Sequence, residues 1–171
     1  MAAKRCRTSF PRASPESLNV MSEEWNHSVE RKIPSDTTLA REILDTLLAN
    51  LASSGWAEEE TFGIHLAVEE ALMNAIKHGN QRDPDKSVMV EYLLSSTRMR
   101  IVIEDEGPGF DPTAVPDPTE DENLELPSGR GLMLMRTFMT EVEYNERGNR
   151  VLMTKERFSS DEESSIDEDE S

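Results

Sequence analysis

The chain has 171 residues, 36% of them hydrophobic, which suits one domain with a modest core and polar tails. Its 18 basic residues against 35 acidic ones give a formal net charge of −17. That field repels nucleic-acid phosphates and anionic lipid, so neither direct nucleic-acid nor membrane binding is expected, while proteins with basic surfaces remain possible partners. The single cysteine, Cys6, can form no internal disulfide, which fits a reducing cytoplasm. No apolar run is long enough to span a bilayer. Lys4, Arg5, Arg7 and Arg12 are followed by no apolar stretch, so the first residues do not read as a secretory signal.

In chain order, residues 1–24 are polar and aperiodic and read as a flexible arm. Residues 25–33 form a first expected strand, ended by Pro34. Ser35 or Asp36 can cap a helix in which Leu39, Ile43, Leu47 and Leu51 recur every four residues, closed by Gly55. A second helix is expected over 57–77, with Phe62, Leu66, Leu72, Met73 and Ile76 as its buried face. Residues 87–94 and 99–104 read as two strands of a hairpin, followed by a long acidic loop to residue 128. A third helix from about 131 to 139 and two strands near 141–145 and 150–155 complete a domain over 25–158. Residues 159–171 are almost wholly Ser and acid and read as a solvated tail. The order suggests an α/β (α+β) two-layer sandwich: helices on one face of a mixed, mostly antiparallel sheet.

Three motifs carry chemistry. Glu70 and Asn74 are four apart in an otherwise apolar helical stretch, so they share a face. The Asn74 amide oxygen suits Mg²⁺, and the Glu70 carboxylate can take a proton from a hydroxyl. Asp105-Glu-Gly107-Pro-Gly109 follows a strand. A carboxylate there can accept from an exocyclic amine such as adenine offers, and glycines allow backbone to approach a flat ring. Gly129-Arg130-Gly131-Leu132 opens a helix, whose free amides attract anions. Neither a P-loop nor a Rossmann signature is present.

Each motif alone is weak, but their joint order resembles the ATPase superfamily of gyrase, the heat-shock chaperone ATPases, histidine kinases and MutL. Residues 65–80 resemble an N box, 103–110 a G1 box and 129–135 a G2 box of the anti-sigma factors that act as serine/threonine kinases. The resemblance covers roughly residues 27–156 and implies a Bergerat-type ATP site using ATP and Mg²⁺. It implies Glu70 as general base and Asn74 as the magnesium ligand. Asp105, Gly107 and Gly109 would contact the adenine. Gly129, Arg130, Gly131 and Leu132 would cover the phosphates. His78 would stand with the nucleotide-binding residues and Thr154 would back the adenine aspartate. Residues 111–128 would form a lid. The implied partners are a sigma factor and an anti-anti-sigma (STAS-type) antagonist phosphorylated on serine or threonine, with a homodimer possible. The competing readings are a non-catalytic ATP-binding module and the catalytic half of a split histidine kinase. A carboxylate at position 70, where typical histidine kinases carry Asn, favours hydroxyl phosphorylation or hydrolysis over histidine autophosphorylation.

Overall fold

The structure, a computed structural model, describes residues 25–111 and 127–157. The expected arm at 1–24, residues 112–126 of the expected lid and the tail beyond 157 lie outside the described residues. Five strands form one sheet: β1 (His27–Pro34), β2 (Ser87–Leu94), β3 (Arg98–Asp105), β4 (Glu141–Tyr144) and β5 (Arg150–Glu156). Their spatial order is β1-β2-β3-β5-β4, and all four pairings are antiparallel.

Alternation along the strands decides which face becomes core. Val88, Val90, Tyr92 and Leu94 of β2 are paired across the ladder with Asp105, Ile103, Ile101 and Met99 of β3. Ile101 and Ile103 are paired in turn with Met153 and Val151 of β5. The apolar members of this set share one buried cluster with residues of α1 (Thr37–Ser53), α2 (Glu58–Asn74) and α3 (Pro127–Phe138), so the helices cover that face.

The helix α1 begins where Asp36 Oδ1 accepts from the N–H groups of Thr38 (2.7 Å) and Leu39 (3.2 Å), satisfying two of its orphan donors. Ala40, Ile43, Leu44, Leu47 and Leu51 form its buried stripe. Tyr92 lies under it, and Asn50 Nδ2 donates to its hydroxyl at 2.8 Å.

The buried face of α2 differs from the expected one. Gly63, Ile64, Ala67, Val68, Ala71 and Leu72 are buried, whereas Phe62 is 59% exposed and Leu66 and Met73 are half-buried. Three of these six are small, which lets α3 pack closely on α2. Gly63 is where the Phe138 ring of α3 lies against the α2 backbone. The α-helical pattern ends at Asn74 and widens into one π-helical turn over Ala75–Gly79.

Candidate functional site

The end of α2 supplies one wall of the site. Asn74 is the last α-helical residue, and the wide turn after it carries His78 and Gly79. π-turns of this kind recur at functional sites. Asn80 then anchors the turn. It is fully buried; its Nδ2 donates to Ser87 O (2.9 Å) and Ser35 Oγ (3.0 Å), and its Oδ1 accepts the Glu106 N–H at 2.8 Å. The C-terminus of α2 is thereby tied to the end of β3.

Asp105 ends β3, and its main chain and one carboxylate oxygen are hydrogen-bonded. Its N–H donates to Asn149 O (2.9 Å), and its carbonyl accepts from Asn149 Nδ2 (2.7 Å). Its Oδ1 accepts the Gly107 N–H at 2.8 Å. Arg147 Nη2 donates to Gly107 O at 2.8 Å. Burial pushes the Asp105 carboxyl above the usual aspartate range, against the smaller opposing pulls of the Gly107 hydrogen bond and the Arg147 charge.

Beyond Gly107 the chain crosses the β4–β5 turn so closely that two glycines are required. Gly109 (φ +78°) lies against the carbonyl of Arg147, and Gly148 (φ +74°) against the carbonyl of Phe110. A Cβ at either would collide with backbone, and both sit in the left-handed region that side chains disfavour. Phe110 then meets the Tyr144 ring edge-on, with centroids 5.1 Å apart and planes at 73°. Burial pushes the Tyr144 phenol up to about 12.

These elements enclose a cavity of about 490 Å³, a volume suited to a nucleotide-sized ligand. Of the residues singled out from sequence, Asn74, His78, Asp105, Gly109 and Leu132 line it. Gly107 is buried behind Asp105 and shapes it indirectly. Glu70 and Gly131 meet beside the cavity: a Cβ at Gly131 would fall on Glu70 Oε1. Gly129 and Arg130 belong to the first turn of α3, Gly129 buried and Arg130 exposed.

Two expectations are corrected. α3 starts at Pro127 rather than Gly131, as proline favours a first helical position. The amides left free at its start therefore precede Gly131, which lies one turn inside and serves the contact with Glu70 instead. Thr154 is not at the site. The β3–β5 register pairs it with Arg100, and Asp105 lies at the other end of β3, past the Glu104↔Arg150 pair. Asn149 takes the place beside Asp105 that was expected for Thr154. Asn149, Tyr144, Met135, Val151 and Ile103 also line the cavity and were not singled out from sequence. Ile103 and Met135 fall within the 103–110 and 129–135 stretches, and Asn149 within the Arg147-Gly148-Asn149 connection between the last two strands.

No group of three or more His, Cys, Asp or Glu that could hold a metal exists among the described residues. The donor set still fits Mg²⁺, which takes one or two protein oxygens and completes its shell with water and phosphate. Asn74 is such a donor, lining the cavity at the end of α2. No helix among the described residues is long and apolar enough to cross a membrane.

A three-layered set of features, the Asn-bearing helix end, the strand-end Asp and the glycine-containing helix α3 around one cavity, defines a class of ATP-binding domain. A model of the histidine kinase-like ATPase domain matches residues 33–155. The serine-protein kinase RsbW of Bacillus subtilis is 31% identical over 136 residues, covering 74% of this chain and 84% of that protein. The protein of the same name from Listeria monocytogenes is 32% identical over 116 residues, covering 63% and 74%. An anti-sigma F factor of Clostridium perfringens is 37% identical over 103 residues, covering 57% and 73%. The chain belongs to the histidine kinase-like ATPase family, in the branch of the anti-sigma serine-protein kinases.

Proposed function

We propose that this protein binds ATP with Mg²⁺ in the cavity between α2, β3 and α3 and phosphorylates a serine or threonine of an anti-anti-sigma (STAS-type) antagonist. The unphosphorylated antagonist occupies the kinase; once phosphorylated it leaves, and the kinase holds a sigma factor. The observation that carries this reading is that Asn74 and Asp105, from α2 and β3, line one cavity with Leu132 of α3. The anti-sigma F factor among the relatives supports the sigma-factor context, and the serine-protein kinases support the transfer to a hydroxyl.

In this reading Asp105 accepts the adenine amino group, and Asn74 supplies an oxygen to the metal. Magnesium, when bound, neutralises phosphate charge. Leu132 and Met135 close the apolar side. The antagonist hydroxyl oxygen bonds to the γ-phosphorus as the bond to the β-phosphate oxygen breaks, and ADP leaves with the electron pair. Glu70 takes the hydroxyl proton. Glu70 lies against Gly131 beside the cavity, and in this reading it serves a protein substrate arriving from outside.

Incubation with labelled ATP, Mg²⁺ and candidate antagonists from the same genome, followed by phosphosite mapping, tests the proposal. Acid-stable phosphate on serine or threonine of one antagonist is expected, and Glu70→Gln should keep ATP affinity while losing transfer. Phosphate on histidine, or no transfer to any antagonist despite ATP binding, would reject it.

A further inference from the structure

Asp105 stands one residue past the last β3–β5 pair, Glu104↔Arg150. On its other edge Asp105 stays paired with Val88 of β2, and on the β5 side an asparagine continues the contact past the last pair. Asn149 is nearly buried, at 7% exposure, and lines the cavity beside Asp105. It engages the Asp105 main chain twice: its carbonyl accepts the Asp105 N–H at 2.9 Å, and its Nδ2 donates to the Asp105 carbonyl at 2.7 Å.

An amide side chain can face either way, so something must decide which end meets Asp105. Asn145 does so. Its Nδ2 donates to Asn149 Oδ1 at 3.0 Å, which leaves Asn149 Nδ2 as the end turned to Asp105. Asn145 is fixed in its turn, because its Oδ1 accepts from the N–H groups of Asn149 (3.1 Å) and Arg150 (3.2 Å). The result is a relay of two asparagines from the β4–β5 turn to the main chain that carries the Asp105 carboxylate.

We propose that Asn149 is a positioning residue that aims the Asp105 carboxylate, that Asn145 sets the orientation of its amide, and that this pair thereby decides which purine the cavity accepts. The inference rests on the adenine-nucleotide reading of the site. Adenine offers an exocyclic amine to a carboxylate, whereas guanine offers a carbonyl oxygen at the same ring position and is repelled there. Its other donors, the ring N–H and the 2-amino group, lie elsewhere on the ring. A carboxylate held in one direction discriminates between the two bases; one free to swing does so less.

Titration calorimetry with ADP and with GDP, both with Mg²⁺, reads this directly. Wild type should prefer ADP. Asn149→Ala leaves the part-buried Asp105 carbonyl without its donor, and ADP affinity should fall about tenfold, with the ADP-over-GDP preference falling at least about fivefold. Asn149→Ser, whose hydroxyl can still donate, should recover most of the preference. Asn145→Ala, outside the cavity wall, should act in the same direction more weakly, and it carries the test if Asn149→Ala fails to fold. Equal weakening of ADP and GDP, or an unchanged preference in both alanine variants, would assign Asn149 to the turn alone and overturn the proposal. If wild type binds neither nucleotide, the adenine reading falls and this inference with it. If wild type discriminates and the variants discriminate equally, only the inference falls.

Discussion

Gly131→Ala separates stability from chemistry at this site. Gly131 lies inside α3, and its backbone is not in the left-handed region. Replacing an interior helical glycine by alanine favours the helix by about 0.8–1 kcal/mol. The new Cβ would fall on Glu70 Oε1, the far end of a flexible side chain rather than backbone. Glu70 can yield by an off-rotamer adjustment costing about 0.5–1.5 kcal/mol. The two terms nearly cancel, so the melting temperature should stay within about 4 °C of wild type. The displaced carboxylate, however, is the proposed base, and a misplacement of about 1 Å costs on the order of 10²-fold in rate. Thermal unfolding, ADP affinity and phosphotransfer to the antagonist, measured side by side, test this. Stability and affinity should hold while transfer drops. Loss of several kcal/mol of stability would show that Glu70 cannot yield, and undiminished transfer would remove Glu70 from the chemistry.

Asn74→Ala should abolish the Mg²⁺ dependence of ATP binding and reduce transfer by at least about 10²-fold, read by titration with and without EDTA. For Asp105 the raised folded-state pKa gives a definite sign. The proton is held more tightly in the folded chain, so this group favours folding at low pH, and the contribution is lost as pH rises through the folded value. Adenine requires the ionised form, so adenosine affinity should weaken as pH falls through that same value. Asp105→Asn should remove this pH-dependent component, and an identical profile in the variant would contradict it. Burial predicts a contrast between two apolar residues. Phe62→Ser should change stability by no more than about 0.5 kcal/mol in denaturant titration, because the ring is 59% exposed. Leu47→Ala should cost about 2–5 kcal/mol, because that side chain is fully buried. A large loss for Phe62→Ser would mean that the exposed face of α2 is covered.

Much of the local structure was legible because it follows from short-range rules. The four-residue stripe of α1, its Asp36 cap and the alternation of β2 and β3 each express a period that neighbouring residues impose on one another. Phe62 was misread because hydrophobic size was weighed and closeness of approach was not. Gly63, Ala67 and Ala71 share the buried face with Ile64, Val68 and Leu72, and Gly63 leaves the space that the Phe138 ring of α3 fills. α3 begins four residues before the expected 131, because Pro127 opens the helix ahead of the glycines.

The residue types and their spacing determined that a carboxylate and an amide would share a helix face and that an aspartate would end a strand. Those relations lie within a few residues, where backbone geometry leaves little freedom. Which groups surround Asp105 was decided only by tertiary structure. The insertion of β5 between β3 and β4 sets the register that sends Thr154 to Arg100 and brings Asn149 to Asp105. Strand order is a property of the whole packed sheet, since shifting one pairing moves every side chain along the strand, and no local pattern in the chain encodes it.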